Sequence, residues 1–242
     1  MNELSLVLPV IFGCAIVQSL FGVGLLVFGT PLLLLLGFSF SATLGWLLPA
    51  SLAVSLVQAW EGRAVVALPG RFFAWSLPPL ALGLALVLGG VFRPDLLLFV
   101  GVLLVGTAVL RQSSTARAVL QKIFRHQTRV WIALTGLVHG LSNLGGGPLV
   151  ILLASWHAER RALRANVALV YLVFSSIQLA VLAMLSPAAL SPVNLLAPVI
   201  SLSAYGLCGN RCFRAVSEGA YQRLLAGFTL SFGLALLARR FI

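Results

Sequence analysis

Residues 130–156 read VWIALTGLVHGLSNLGGGPLVILLASW. The run exceeds what one spanning helix takes, about 20 residues with a usable range of ~17–25. Its middle, Asn143-Leu144-Gly145-Gly146-Gly147-Pro148, is a stretch that no continuous helix tolerates cheaply, because glycine loses the most backbone freedom and proline removes a donor. It therefore reads as two helical legs joined by a glycine-rich break. A second run, 4–37, is built alike, interrupted by Gly22, Gly24, Gly29 and Pro31. Opened backbone at membrane depth survives only where protein or a water-filled cavity covers it.

The other apolar runs lie at 41–60, 72–91, 96–110, 165–184, 194–208 and 222–238. The 242 residues are 60% hydrophobic and 9% charged, with a mean hydropathy of +1.08. A soluble domain carries about 25% charged residues. The composition excludes a soluble enzyme, a disordered chain and a nucleic-acid-binding module, and predicts a polytopic helical membrane protein. The net charge of +11 sits in short loops, where it reports topology rather than a nucleic-acid partner. Cys14, Cys208 and Cys212 form no even framework and read as unpaired thiols, with no metal site and no cofactor. Met1-Asn2-Glu3 lacks a basic n-region, so no cleavable signal peptide is expected.

The Lys/Arg distribution discriminates between two topologies. If each broken run is a hairpin that returns to its own side, 13 of the 16 basic residues fall inside, in loops 61–71, 111–129, 157–164 and 209–221 and at Arg223. Arg93, Arg239 and Arg240 fall outside. If each broken run crosses once, the better orientation keeps 9 inside and 7 outside. The hairpin arrangement obeys the positive-inside rule far better. Each half is then one glycine-broken hairpin plus three transmembrane helices, an odd number of crossings, and related halves of this kind are inverted repeats.

The halves do align. With Gly22-Val23-Gly24 set on Asn143-Leu144-Gly145, Gln18 falls on His139. One gap later Ser55-Leu56-Val57-Gln58 falls on Ser175-Ser176-Ile177-Gln178. Pro79 then lies near Pro198 and Gly101 near Gly227. The expected organisation is a first membrane repeat at 1–110, a basic cytoplasmic linker at 111–129 and a second membrane repeat at 130–242.

The breaks carry a resemblance. A glycine-rich break followed by an apolar leg, once per half, resembles the TauE/SafE family of sulfite and organosulfonate permeases, whose halves typically carry G-[IV]-G-G-G-x4-P. The first half reads Gly22-Val23-Gly24-Leu25-Leu26-Val27-Phe28-Gly29-Thr30-Pro31, with Leu25 and Leu26 in place of two glycines. The second keeps the triple glycine with an early proline, and Leu152 stands at the later proline position. The resemblance covers nearly the whole chain. It implies transport of small, often sulfur-containing anions across the cytoplasmic (inner) membrane.

Read on their own residues, the breaks suit an anion. A helical leg is expected to start at Pro148, with Gly145, Gly146 and Gly147 as an open loop before it. In the first half the restart falls near Gly24, or at Thr30-Pro31 with Thr30 as cap. A helix N-terminus presents free N–H groups and about half a positive charge, an anion site without a basic side chain. The same glycines would equally serve close helix packing. Gln18, His139, Ser142, Asn143, Gln58, Gln178, Ser55 and Ser175 lie in apolar runs and must face the interior, lining a pocket or bonding between helices. Tyr171 and Asn166 are weaker candidates for its wall. His139 is the ionisable side chain well inside an apolar run, able to carry a proton or to hold one structural hydrogen bond. Glu3, Glu61, Asp95, Glu159 and Glu218 all lie at ends or loops, which favours an anionic over a cationic substrate.

The expected function is a secondary transporter for small anions working by alternating access. An anion channel on the same scaffold, or export or uptake of small carboxylates, stays open. So do proton or sodium coupling and a homo-oligomer; membrane lipids are the remaining partner. No enzyme is expected: there is no G-x-S-G run, no H-E-x-x-H and no P-loop.

Overall fold

The computed structural model describes residues 3–92, 127–157 and 159–239, together with 95, 98, 99, 101, 102, 104–106, 109 and 113. Among these the chain is all helix. The helices are α1 (Glu3–Phe21), α2 (Leu25–Leu35), α3 (Phe40–Glu61), α4 (Phe72–Leu88), α5 (Thr128–Ser142), α6 (Gly146–Ala154), α7 (Arg160–Leu185), α8 (Leu196–Ala204), α9 (Asn210–Ala215) and α10 (Glu218–Arg239). A 3-10 turn, Pro192–Leu195, leads into α8, and a π turn, Tyr205–Gly209, leaves it. Most of the expected linker at 111–129, with Arg93, Arg111, Arg117, Lys122, Arg125 and Arg240, lies outside the described residues.

Four described helices are long and apolar enough to cross a bilayer: Glu3–Phe21, Phe40–Glu61, Arg160–Leu185 and Pro192–Gly209. Their polarity is that of a lipid-facing protein. Leu56, Trp60, Met184 and Leu207 are exposed, while Gln18, Ser51, Ser55, Asn143, Ser175 and Gln178 are fully buried. Water would favour the reverse; hydrocarbon favours apolar side chains outside and hydrogen-bonded polar ones within. The protein is a multi-pass membrane protein.

Both long runs are broken where the glycines stand. Phe21 ends α1 and Leu25 starts α2, which packs back on α1; Ser142 ends α5 and Gly146 starts α6, which packs back on α5. The returning legs are short. Eleven residues in α2 and nine in α6 rise about 16 and 13 Å, roughly half of a ~30 Å hydrocarbon core. Two expectations on the restarts need correction. Gly146 and Gly147 form the first turn of α6, and Pro148 lies within it, so the open loop is confined to Asn143, Leu144 and Gly145. Thr30 and Pro31 lie inside α2, which restarts at Leu25 as the Gly24 alternative requires. Glycine and proline both fit a first helical turn, whose N–H groups have no intrahelical partner in any case.

Packing runs between the halves. The α3 helix lies on α7, α4 on α5, α1 on α8, α3 on α8 and α4 on α7. The α4–α5 seam is close because Gly136 and Gly140 sit against the Ser76 and Leu80 backbone, while a Cβ at Gly83 would come within 2.9 Å of the Leu137 carbonyl. A Cβ at Gly101 would meet Leu237 at 2.9 Å and the Gly233 carbonyl at 3.3 Å, whereas Gly227 has open space around it.

The loops sort to two ends. Asn166 Oδ1 accepts from Ala67 N at 2.9 Å, Arg160 donates to the Val216 carbonyl at 2.6 Å, and the Arg129 guanidinium lies 5.5 Å over Trp75. The loop after α3 and the starts of α5, α7 and α10 therefore share one end. At the other end Glu3, Leu4, Ala42 and Trp46 line one cavity with Ala188, Ala189, Ser191, Val193 and Asn194. This division is that of returning hairpins; a single crossing of each broken run would separate Asn166 from Ala67.

Candidate functional site

The two breaks share one local geometry. Gly22 and Asn143 both hold left-handed backbone, with φ 72° and 65°. Glycine adopts that region freely, and asparagine is the side chain that tolerates it best. Gly22 N donates to the Gln18 carbonyl at 2.8 Å, and Asn143 N to the His139 carbonyl at 2.7 Å. Phe28 N donates to Gly24 O and Leu149 N to Gly145 O, both at 2.9 Å. At Gly24 a Cβ would overlap the Gln18 and Cys14 backbone; at Gly145 it would lie 2.7 Å from the Thr135 carbonyl and 2.5 Å from His139 Cβ. Each glycine lets the second leg start directly against the end of the first.

The side chains then diverge. Gln18 spends its amide on the protein: Oε1 accepts from Leu25 N at 3.1 Å, and Nε2 donates to Ser55 Oγ at 3.1 Å and the Ser51 carbonyl at 3.4 Å. It thereby caps the leading N–H of α2. Gln58 Nε2 donates to the Gln18 carbonyl at 3.0 Å and the Ser19 carbonyl at 3.4 Å. Gln58 Oε1 is left without a partner among the described residues; otherwise the first break is closed by its own chain.

The second break is not. Among the described residues no side chain caps the start of α6. His139 stands where Gln18 stands in the first half, yet neither of its ring nitrogens has a partner of hydrogen-bonding geometry among the described residues, although the Gln178 amide faces the ring. Its imidazole packs against Tyr171 and Phe174, with ring centroids 5.2 and 5.1 Å away. The Tyr171 hydroxyl and Gln178 Oε1 are also buried without a partner among the described residues. Gly146 lies directly against that hydroxyl and against Val27 of α2. Unpaired buried donors and acceptors each cost about 1–3 kcal/mol, so three residues with unmet bonding at one uncapped helix start form a polar centre that a ligand would satisfy.

Asn143 ties this centre to the other half. Its Nδ2 donates to Thr30 Oγ1 at 2.8 Å, and its Oδ1 accepts from Gln178 Nε2 at 3.3 Å. Ser142 turns to the backbone, donating to the Val138 carbonyl at 2.7 Å and accepting from Leu144 N at 3.3 Å.

Residues 7–236 match the family model described as Sulfite exporter TauE/SafE. The chain belongs to the TauE/SafE family. No curated protein and no solved structure matches it. Against that membership, the expected site residues of this TauE/SafE protein fall into three groups. His139, Asn143, Gly145, Gly146 and Gln178 gather at the second break, with Thr30 reaching them from α2 and Gly147 continuing the first turn of α6. Gln18, Gly22, Gly24 and Gln58 gather at the first break, where their bonding is internal. Ser142 sits at the second break but bonds backward along α5.

Of the weaker candidates, Tyr171 lies at the second break beside His139 and Gly146, and Asn166 lies apart from it, bonded to the loop at Val65 and Ala67. Phe174 and Ser51 were not legible as site residues. Phe174 looks like any apolar helix position, and Ser51 acts partly through its main-chain carbonyl, which no side-chain pattern reports.

Proposed function

We propose that this membrane transporter carries a small oxyanion, sulfite or an organosulfonate, across the cytoplasmic membrane by alternating access of two inverted halves. Family membership supports the class of cargo. The observation that carries the local reading is the unsatisfied polar centre at the start of α6: His139, Tyr171 and Gln178 around an uncapped helix N-terminus. Such a terminus attracts negative charge, and half-helix N-termini facing a midplane cavity are a recurrent way for transporters to hold an anionic group. An oxyanion would accept from the free N–H groups and from the tyrosine hydroxyl.

The matched left-handed residues and restart bonds of the two breaks support inverted halves, as do the mutual pairings of α4 with α5 and α1 with α8. Opposed half-length legs, α2 and α6, meet through Asn143 and Thr30. Rocking one half against the other would expose this centre to each side in turn. The driving force is a proton or sodium gradient, or the gradient of the anion itself.

Flux of sulfite into proteoliposomes tests the reading. Saturable uptake, accelerated by sulfite on the far side, is expected of the native chain; His139→Ala should lose most of it while still inserting. Linear uptake without acceleration would assign a channel, and native uptake by His139→Ala would remove the site.

A further inference from the structure

A cavity of about 520 Å³ opens between α3, α7 and α9 at the end of the molecule that gathers the loops after α3 and before α7. Its wall includes Gln58, Glu61, Arg161, Arg164 and Phe213. The volume lies in the range of small-molecule sites, about 300–1,000 Å³. Two guanidiniums face one carboxylate there.

The charges are placed against the grain of the helix. Arg160, Arg161 and Arg164 occupy the opening turns of α7, with no acidic residue in the first turn. Positive side chains at a helix N-terminus are disfavoured by the macrodipole. Arg164 is held nonetheless: its side chain is 10% exposed, Nη1 donates to the Ser19 carbonyl at 3.0 Å, and its guanidinium lies 3.7 Å over the Phe213 ring. Its nearest Glu61 oxygen is 3.9 Å away, too far for a hydrogen bond, and that carboxylate oxygen instead accepts from the Tyr205 hydroxyl. Arg161, exposed at the rim, has no partner among the described residues. A buried cation and an exposed one thus meet at one cavity whose wall holds a single carboxylate, leaving it a net positive charge. Ser19 and Gln58 connect its floor to the first break, because Arg164 and Gln58 donate to the same stretch of main chain.

We propose that this cavity is a second, loading site for the transported oxyanion, held by Arg161 and Arg164 and opposed by Glu61. The inference takes the cargo from the reading above but not its central site. A guanidinium pair offers several N–H donors in planar forks that suit sulfite and sulfonate oxygens, and a positive entrance raises the local anion concentration. The phosphate of a lipid headgroup has the same chemistry, so the test separates the two sources.

The full chain in phosphatidylcholine nanodiscs is titrated with sodium sulfite by calorimetry. Arg161→Gln should weaken binding roughly three- to tenfold, Arg161→Lys should weaken it less by keeping the charge without the fork, and Glu61→Gln should tighten it, with the effects shrinking at high salt. Because Arg161 is exposed and unpartnered, its variants leave folding intact. No change in Arg161→Gln and Glu61→Gln overturns the site. So does a loss confined to phosphatidylglycerol association in discs that contain that lipid, which would give the arginines to the membrane. Proteoliposome flux of His139→Ala, read beside this titration, separates the two readings: unchanged flux with an intact binding response to Arg161→Gln removes the central site only, whereas lost flux with no binding response to Arg161→Gln removes the loading site only.

Discussion

At the scale of single residues, the contrast between Gln18 and His139 carries the most meaning. Equivalent in sequence, one is spent on its own break and the other is left with two unmet nitrogens. Tyr171→Phe follows from the same contrast. Deleting a hydroxyl with no partner among the described residues should leave stability unchanged or raise it by about 1 kcal/mol, since the buried group costs free energy unpaired. Sulfite flux should nevertheless fall at least several-fold, and thermal unfolding beside proteoliposome flux reads both; an unchanged flux would make the hydroxyl incidental. Asn143→Gly separates shape from bonding. Glycine keeps the left-handed backbone while the links to Thr30 and Gln178 vanish, so the fold should survive with a loss of about 1 kcal/mol, each interhelical bond being worth ~0.6. Asn143→Leu loses both and should be the more damaging in detergent melts and in flux. The polar positions were legible because amides stand out in apolar runs. Which of them bond inward and which are orphaned was not, because that depends on partners more than thirty residues away.

At the scale of elements, the breaks depend on glycine for contact as much as for conformation. Gly145→Ala would force a methyl onto His139 and Thr135 in the preceding leg, and such overpacking costs about 1–3 kcal/mol. The expected result is a lower melting temperature and lost flux. Gly13→Ala, in α1 with open space around it, is the matched control and should be neutral or slightly stabilising by helix propensity. Equal melting temperatures for the two variants would show that the second break has room to relax. The existence of both breaks was readable, since clustered glycine with proline inside a long apolar run has few other meanings. Their restart points were not, because glycine suits a loop and a first helical turn alike, and the neighbours of Gly146, Tyr171 and Val27, come from other helices.

At the scale of the whole molecule, membrane sidedness is the decisive test. Glu159→Cys and Ser39→Cys, each exposed and introduced singly after Cys14, Cys208 and Cys212 are replaced, should react with an impermeant thiol reagent from opposite faces, Glu159→Cys from the cytoplasm. Labelling of both from one face would undo the returning hairpins. The sequence by itself determined the class of molecule, the two broken runs and the preferred side for the basic loops, because hydrocarbon imposes length, polarity and charge rules that act on local composition. Only the tertiary structure decided that Asn166 bonds Ala67, that Asn143 joins Thr30, and that, among the described residues, both ring nitrogens of His139 stay without a partner where the Gln18 amide is bonded. Those are contacts between distant segments, and complementary donors and acceptors leave no periodic trace in the chain that carries them.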